Sequence, residues 1–512
     1  MTTLVRSTDT LTRDALAVLQ PGFVGTTAPD WLLRRIGEGL SAVGLFGRNI
    51  VTPEQLAALT AQLRAERDDV LVAIDEEGGD VTRLEVRDGS SFPGNYALGR
   101  VDDTDLTRAV ARELGRRLAE CGVDLNWAPS ADVNSNPDNP VIGVRSFGAD
   151  TALTARHTVA YIEGLQAAGV AACTKHFPGH GDTNVDSHHA LPRIDVDLDT
   201  LQARELVPFR AAIAAGSKAV MSAHILLPAL DPNRPATLSP QILTGLLREE
   251  LGYEGLIVTD GMEMQAISAV YGIERGSVLA IAAGADAICV GGGLADEETV
   301  LRLRDALVTA VRDGELPEER LADAAARMRA LADWTRRARG AAAEPGAAVQ
   351  EGTAPGTDIG LVAARRAVRV TAGKLPYAPP AGAPYVAAFS PVANIAVGDE
   401  TPWGVAAELA ALLPGTTTDT YGATSETSSL VAHVVGLAGD RRIVAVVRDV
   451  HRHPWMADAL DALIAARPDT VVVEMGVDRA APRGALHIAT HGAARVCGRA
   501  AAEVIAGKGA GA

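Results

Sequence analysis

The sequence predicts an α/β protein, a (β/α)8 TIM-like barrel followed by a smaller α/β sandwich domain. Two observations support the barrel. Between residues 17 and 291, short apolar runs end in polar or glycine-rich turns, and helical patterns rich in Ala, Leu and Arg often follow them. Eight such βα units within roughly 300 residues are typical of a (β/α)8 barrel.

The predicted strands are continuous apolar runs, as expected of a parallel sheet covered by helices. They are AVLQPGFVG (17–25), AVGLFG (42–47), VLVAID (70–75), VDLNWAP (123–129), VAACTKH (170–176), AVMSAH (219–224), LIVTD (256–260) and DAICVG (286–291). An open doubly wound sheet usually has fewer strands and a glycine fingerprint after the first, and this sequence has no such fingerprint. The closed barrel is therefore favoured.

The rest of the chain predicts a second domain. A helix-rich stretch at 297–338 completes a barrel domain spanning 1–337, and an Ala-, Gly- and Pro-rich segment at 338–358 is predicted to be a linker. Residues 359–512 are expected to form a smaller α/β domain with a partly parallel sheet. Its predicted strands are YVAAFSP (385–391), RIVAVVRD (442–449), TVVVEMGV (470–477) and LHIATHG (486–492).

Composition excludes several classes of partner. The formal net charge is −17 and no dense basic run is present, so neither nucleic acid nor an anionic membrane surface is expected as a partner. No apolar run of about 18 residues could span a bilayer, and the N-terminus has no signal-peptide pattern. Four scattered cysteines fit reduced thiols, so we expect a cytoplasmic protein. They are Cys121, Cys173, Cys289 and Cys497.

Polar side chains follow the third to seventh predicted strands, where a parallel barrel forms its active site. A single charged residue past a strand is usually a solvated loop residue, but that explanation is poor for a whole set of strand ends. The set comprises Asp75, Glu76, Glu77 and Arg83; Asn126, Asp132 and Arg145; Lys175 and His176; His224; and Asp260.

The most informative stretch is KHFPGHGDTNVDSHH, residues 175–189, which joins a predicted strand to a polar loop. Its proline and glycines shape a tight turn that lets backbone and side chains approach a ligand closely. Asp186 lies two residues before His188, where a carboxylate can orient an imidazole and fix its tautomer.

KHFPGHG followed by DSH resembles the signature of family 3 glycoside hydrolases, in particular the β-N-acetylglucosaminidase (β-hexosaminidase) branch in its two-domain form. The resemblance spans roughly residues 17–330 and includes DEEGGDVTRLE (75–85), VIGVRSFG (141–148) and LREELGYEGLIVTDGMEM (247–264). It implies sugar-binding roles for Asp75, Arg83, Arg145, Lys175 and His176. It also implies that His188 is the general acid/base and Asp260 the nucleophile.

The residue chemistry agrees with those roles. Retaining glycosidases need a carboxylate nucleophile and a second group that protonates the leaving oxygen. Asp260 ends an apolar run, and His188 backed by Asp186 titrates near neutral pH. In this family a histidine acid/base implies the N-acetyl sugar. We therefore expect a cofactor-independent exo-β-N-acetylglucosaminidase acting on muropeptides, as in cell-wall recycling, or on chitooligosaccharides.

Three alternatives remain open from the sequence. An acid/base histidine puts no carboxylate charge beside an incoming anion, so phosphate could replace water and give a phosphorylase. A metal-dependent barrel hydrolase would use His176, His180, His188 and Asp260 as ligands. A non-catalytic sugar-binding or scaffold protein would have no need of a nucleophile.

The second domain is expected to be accessory or to join the chains of a dimer. None of its polar residues is assigned a catalytic role. They are Asp449, His451, His453, Glu474, His487 and His491.

Overall fold

A computed structural model describes residues 9–187, 190–342, 358–391, 397, 400–423 and 426–508. It divides into two units. The first consists of the described residues of Met1–Glu76, Thr107–Pro140 and Ala149–Gly352. The second consists of those of Glu77–Leu106, Val141–Gly148 and Thr353–Ala512.

Every predicted barrel strand is present in the first unit. The strands are β1 (Leu19–Pro21), β2 (Ala42–Leu45), β3 (Leu71–Ile74), β4 (Leu125–Asn126), β5 (Ala171–Phe177), β6 (Ala219–Ser222), β7 (Leu256–Thr259) and β8 (Ile288–Val290). β2 to β7 form one parallel sheet in chain order. A parallel bridge between Val258 and Ala287 leads to β8, β8 pairs with β1, and β1 lies beside β2. The predicted barrel architecture is confirmed.

The helices of the described residues alternate with these strands and continue into the second unit. They are α1 (Thr10–Ala17), α2 (Asp30–Glu38), α3 (Pro53–Glu66), α4 (Asn95–Val101), α5 (Thr104–Glu120), α6 (Thr151–Ala167), α7 (Leu198–Thr200), α8 (Leu206–Ala214), α9 (Gln265–Tyr271), α10 (Ile273–Ala283), α11 (Glu297–Arg312), α12 (Glu318–Ala342), α13 (Ile359–Ala367), α14 (Ala406–Leu412), α15 (Thr427–Ala438), α16 (Pro454–Ala466) and α17 (Arg495–Ile505). Segments Leu201–Glu205 and Gln241–Glu250 are π-helical. Side-chain caps begin several helices; Asp150, for example, accepts from the Leu153 amide at the start of α6.

The barrel strands lie in mainly apolar runs because both of their faces are buried. Alternate residues, such as Leu71 and Ala73 of β3, join one buried cluster that also includes Met328 of α12. The intervening Val72 and Ile74 are equally buried. Side chains of a strand alternate between its two faces, so both faces must be apolar here.

The second unit contains a mixed sheet with helices on both faces. Its strands, within the described residues, are β9 (Arg369–Ala372), β10 (Tyr385–Phe389), β11 (Thr417–Tyr421), β12 (Ile443–Val447), β13 (Val471–Glu474) and β14 (Leu486–Ala489). Their order is β11-β10-β12-β13-β14-β9, and β9 alone among them runs antiparallel to its neighbour. Val444 and Val446 pack in one core, and Ile443 and Ala445 pack in the other.

The sequence did not predict the two edge strands of this sheet. All four residues of β9 are exposed, and so are the first four residues of β11. Neither strand therefore carries an apolar run. Of the predicted linker, residues 338–342 end helix α12, and residues 343–357 lie outside the described residues.

Within the part of the chain that the structure describes, no single helix is long and apolar enough to cross a bilayer. Helices α9 and α10, which meet at an angle of 106°, are together long and apolar enough for a membrane span, by length and composition only.

A buried charge network holds the chain just before β8. Asp286 is fully buried and accepts hydrogen bonds from Arg248, from Arg320 (2.6 Å) and from the amide of Ile257 (2.8 Å). Removing one member of such a network leaves the other charges buried and unpaired.

We predict that Asp286→Asn lowers the free energy of unfolding by about 3 kcal/mol, the usual result of breaking a buried ion pair. Urea denaturation of the full chain measures this. Asp305→Asn, which removes an exposed carboxylate, is the control and should change stability by less than about 0.5 kcal/mol. Equal denaturation midpoints for the two variants would contradict the prediction.

Candidate active site

Two of the predicted sugar-binding residues meet at the carboxyl ends of β3 and β5. The Lys175 ammonium lies 2.6 Å from Oδ1 of Asp75. The Lys175 side chain is 3% exposed and the Asp75 side chain 19%. A buried ammonium requires a partner charge, so the pair holds both groups in place and still offers donors and an acceptor to a ligand.

A third predicted sugar-binding residue, His176, is held by Asp132. Oδ2 of Asp132 lies 2.7 Å from Nδ1 of His176 and accepts from the Ser130 hydroxyl at 2.9 Å. Oδ1 accepts from the backbone amides of His176 (3.2 Å) and His180 (2.7 Å). The loop after β4 is thus joined to the turn after β5 through one fully buried carboxylate.

The electrostatics of this cluster fix its protonation. Burial favours the neutral acid, but the His176 imidazole and the hydrogen bonds from His176 and His180 lower the pKa of Asp132 to about 2. Burial, with His176 next, lowers the pKa of His180 to about 4. At neutral pH Asp132 is therefore ionised and His180 uncharged. Because a carboxylate can only accept, Nδ1 of His176 carries a proton.

The turn after β5 packs tightly, which explains part of its glycine content. A Cβ at Gly181 would lie 1.7 Å from the carbonyl oxygen of Val133, so only glycine fits there. Arg204 bridges the carboxylates of Asp182 and Glu205, each at 2.6 Å. Burial raises the pKa of Glu205 to about 7. These contacts attach the turn to the helical segment that follows it in the chain.

The predicted acid/base pair is only partly described. Asp186 is half-buried, and its carbonyl oxygen accepts from the Ala190 amide at 3.1 Å. His188 lies outside the described residues, so the pairing of Asp186 with His188 stays a prediction.

Asp260, the predicted nucleophile, follows β7 directly and is half-buried. Its amide donates to the carbonyl oxygen of Ser222 in β6 at 3.1 Å. Its Oδ1 accepts from the amide of Gly261 at 2.8 Å. The backbone of Asp260 is therefore attached to the sheet, and its carboxylate is contacted by the amide of the next residue.

The remaining predicted sugar-binding residues, Arg83 and Arg145, belong to the second unit. Arg145 is buried in a bidentate ion pair with Glu77, with N–O distances of 2.7 and 3.0 Å. Its Nη1 also donates to the carbonyl oxygen of Val141 at 3.1 Å. Arg83 is half-buried on the Glu77–Leu106 segment. Their sugar-binding roles stay predictions.

The polar residues of the second sheet have structural contacts. Glu474, at the end of β13, accepts from the backbone amides of Asp449 (2.9 Å), Val450 (3.2 Å) and Gly476 (2.8 Å). Burial raises its pKa to about 7. Buried His491 lies 3.2 Å from Asp478. Glu474 thus shapes the loop after β12.

Among the residues described, no group of three or more His, Cys, Asp and Glu side chains is arranged to hold a metal ion. Of the ligand set in the metal-hydrolase alternative, His188 lies outside those residues.

The sequence did not assign roles to Asp132, Arg204 or Glu205. The sequence identifies Asp132 only as one of the polar residues that follow the predicted strands. Its partners His176 and His180 lie more than 40 residues later, so nothing local in the sequence identifies the contact.

Comparison with known proteins gives a consistent result. Residues 35–331 match the family model described as Glycosyl hydrolase family 3 N terminal domain. The fold is similar to that of a glycoside hydrolase family 3 beta-N-acetylglucosaminidase from Paenibacillus sp. str. FPU-7, with a TM-score of 0.85 and 34% identity. That similarity covers 98% of this chain and 97% of the other.

Two curated relatives agree. Beta-hexosaminidase A of Pseudoalteromonas piscicida is 36% identical over 332 residues, 60% of this chain. The match spans only 55% of that relative's length. Beta-hexosaminidase of Neisseria gonorrhoeae is 36% identical over 265 residues, 50% of this chain and 73% of the relative.

The ionised state of Asp132 gives a prediction about pH. Its pKa in the folded protein is lower than that of a solvated aspartate, so its ionisation stabilises the fold above the ordinary pKa, and that stabilisation is lost as the pH falls towards 2. Wild type should exceed Asp132→Asn in stability by about 2 kcal/mol at pH 7, and the difference should shrink by about half by pH 3.

Urea denaturation at a series of pH values measures this difference. Asp195→Asn is the control, because its carboxylate is exposed and pairs only at the surface with Arg193. A wild-type advantage over Asp132→Asn that is constant between pH 7 and pH 3 would be incompatible with the lowered pKa.

Proposed function

The chain belongs to glycosyl hydrolase family 3, as its resemblance at KHFPGHG predicted, and on that basis we propose that it is a retaining exo-β-N-acetylglucosaminidase. It would remove terminal N-acetylglucosamine from β-linked glycosides. The observation that supports this most strongly is the set of strand ends in the first unit. Asp260 follows β7, and the held pairs Lys175–Asp75 and His176–Asp132 lie at the end of β5.

The held pairs suit recognition of a sugar ring. Lys175 and Asp75 offer charge-assisted hydrogen bonds to neighbouring hydroxyls, and their mutual contact keeps both in place before substrate binds. Nδ1 of His176 carries a proton towards Asp132, and we assign Nε2 of the same ring to the contact with a sugar hydroxyl. Arg83 and Arg145 complete the proposed sugar-binding set by family resemblance.

The proposed reaction has two halves. A carboxylate oxygen of Asp260 attacks C1 of the sugar, the bond from C1 to the aglycone oxygen breaks, and His188 gives its proton to that oxygen. Water then attacks C1, His188 takes the water proton, and the bond from C1 to Asp260 breaks. Asp186 would stabilise the imidazolium form of His188. An imidazole with a pKa near 6.5 supplies both states at neutral pH.

Hydrolysis is favoured over phosphorolysis, because the three relatives described above are named for hexosaminidase or N-acetylglucosaminidase activity. The aglycone is proposed to be a muropeptide, as in cell-wall recycling, or a chitooligosaccharide. The four cysteines are buried and unpaired, which supports a reducing compartment such as the cytoplasm.

The first test is substrate choice. A 4-nitrophenyl β-N-acetylglucosaminide should exceed the matching glucoside in kcat/KM by about 100-fold or more, because a site built to bind the acetamido group loses those hydrogen bonds with glucose. Product analysis in phosphate and in Hepes buffer should give free N-acetylglucosamine in both. Comparable rates on the glucoside would contradict the N-acetyl specificity, and sugar phosphate as the main product would contradict hydrolysis.

The second test concerns the nucleophile. Asp260→Asn should lower kcat by on the order of 10⁴-fold or more, because the attacking oxygen is lost. Asp305→Asn, at an exposed site, should keep the wild-type rate. Activity of Asp260→Asn within about tenfold of wild type, with the fold intact, would exclude the assigned nucleophile.

The third test concerns the proton that is given to the leaving-group oxygen. Asp186→Asn should lower kcat/KM by about 100-fold on a substrate with a poor leaving group, such as the methyl glycoside. The loss should be much smaller on the 2,4-dinitrophenyl glycoside, whose leaving group needs no protonation. Circular dichroism checks that the fold is unchanged. Equal losses on the two substrates would show that Asp186 does not act through the leaving-group proton.

A further inference from the structure

His224 is a buried histidine that the proposed mechanism does not use. It follows β6 and is fully buried. Its Nε2 lies 3.0 Å from the carbonyl oxygen of Gly261, and its Nδ1 lies 2.8 Å from Oγ1 of Thr237. Resting on the proposed role of Asp260 as nucleophile, we propose that His224 is a positioning residue that fixes the Gly261 peptide and, through it, the Asp260 carboxylate.

The hydrogen bonds determine the tautomer of His224. A carbonyl oxygen can only accept, so Nε2 must carry a proton to bond Gly261. Nδ1 lies next to the hydroxyl of Thr237, which donates its proton to the carbonyl oxygen of Ala223 at 2.9 Å. Thr237 in turn accepts from the hydroxyl of Ser222, which lies 2.9 Å away. The contact with Gly261 therefore requires a proton on Nε2, and the side chains of His224, Thr237 and Ser222 are all fully buried.

Gly261 is the point at which this network reaches the nucleophile. Its amide donates to Oδ1 of Asp260, and its carbonyl oxygen accepts from both His224 and the amide of Met264 (3.0 Å). Glycine has no side chain to restrict its backbone, so the orientation of this peptide depends on outside contacts. His224 supplies one of them, and the fixed amide holds Oδ1 of the Asp260 carboxyl group.

The strand side of Asp260 is held independently. Its amide donates to the carbonyl oxygen of Ser222. The hydroxyl of the same serine lies next to Thr237. β6 and the segment after it thus hold the nucleophile from both sides. Loss of the His224 contact should leave the strand in place but loosen the Gly261 peptide, whose carbonyl oxygen would keep only its bond from the Met264 amide among the contacts described above. Catalysis should suffer more than folding or binding, because a misplacement of about 1 Å at a reacting group lowers rates by about 100-fold.

Two substitutions separate positioning from a purely structural role. The side-chain amide of His224→Gln can occupy the place of Nε2 and still donate to Gly261. The amide of His224→Asn is one carbon shorter and occupies the place of Nδ1, so it reaches Thr237 only. His157→Asn is the matched control, since His157 is a fully buried histidine bonded to Thr107 at 2.9 Å.

We expect His224→Asn to lower kcat on the aryl N-acetylglucosaminide by about 30- to 100-fold. The inhibition constant of N-acetylglucosamine should change less than threefold. His224→Gln should recover kcat to within about fivefold of wild type. His157→Asn should keep the wild-type kcat whatever its effect on stability. Equal kcat for His224→Asn and His224→Gln, in folded proteins, would overturn the proposal.

A measurement on the wild-type protein does not depend on whether the variants fold. Nitrogen-15 NMR of histidine-labelled protein reports the tautomer of each ring, with the His224 signals assigned by their loss in His224→Gln. We expect the His224 ring to carry a proton on Nε2. A ring protonated only at Nδ1 could not donate to Gly261 and would overturn the proposal.

Results that refute the proposed function differ from results that refute only the positioning role of His224. An inactive wild type, or an active Asp260→Asn, would refute the nucleophile itself. An active wild type with an inactive Asp260→Asn and an unaffected His224→Asn would refute only the positioning role.

Discussion

The buried carboxylate of Asp132 is the interaction on which the candidate active site most depends. It receives hydrogen bonds from two backbone amides, one hydroxyl and one imidazole, and these come from the loop after β4, from β5 and from the turn after β5. An ionised carboxylate without solvent is tolerated only with such partners. The direction of the His176 ring and the path of KHFPGHGD both follow from keeping this one charge satisfied.

The same principle recurs at the other strand ends of the first unit. Asp75 faces the buried ammonium of Lys175, and the amide of Gly261 contacts the Asp260 carboxylate. Asp75, Lys175, His176 and Asp260, four of the residues proposed to touch the sugar, are therefore held before substrate arrives. Preorganised charges of this kind require little rearrangement as charge develops on the sugar ring and the leaving oxygen.

Much of this fold follows from sequence patterns, and the reason is burial. β1 to β8 are buried, and most of them lie in apolar runs that end in polar residues. β9 and β11 are exposed edge strands without such runs, and they were not predicted. At the site, the strand-end positions of Asp75, Lys175, His176 and Asp260 were predictable from the order of strands. The contacts of Asp132 and His224 were not, because their partners are distant in sequence or are backbone atoms.

The central claim is that Asp260 forms a covalent bond to N-acetylglucosamine. Its most direct test is trapping with a fluorinated N-acetylglucosaminyl fluoride, whose glycosyl-enzyme forms faster than it hydrolyses. Intact mass should increase by one sugar residue, and peptide mapping should place the sugar on the segment containing Asp260. An adduct on a different residue, or steady turnover of the aryl glycoside with inversion at C1, would contradict the account.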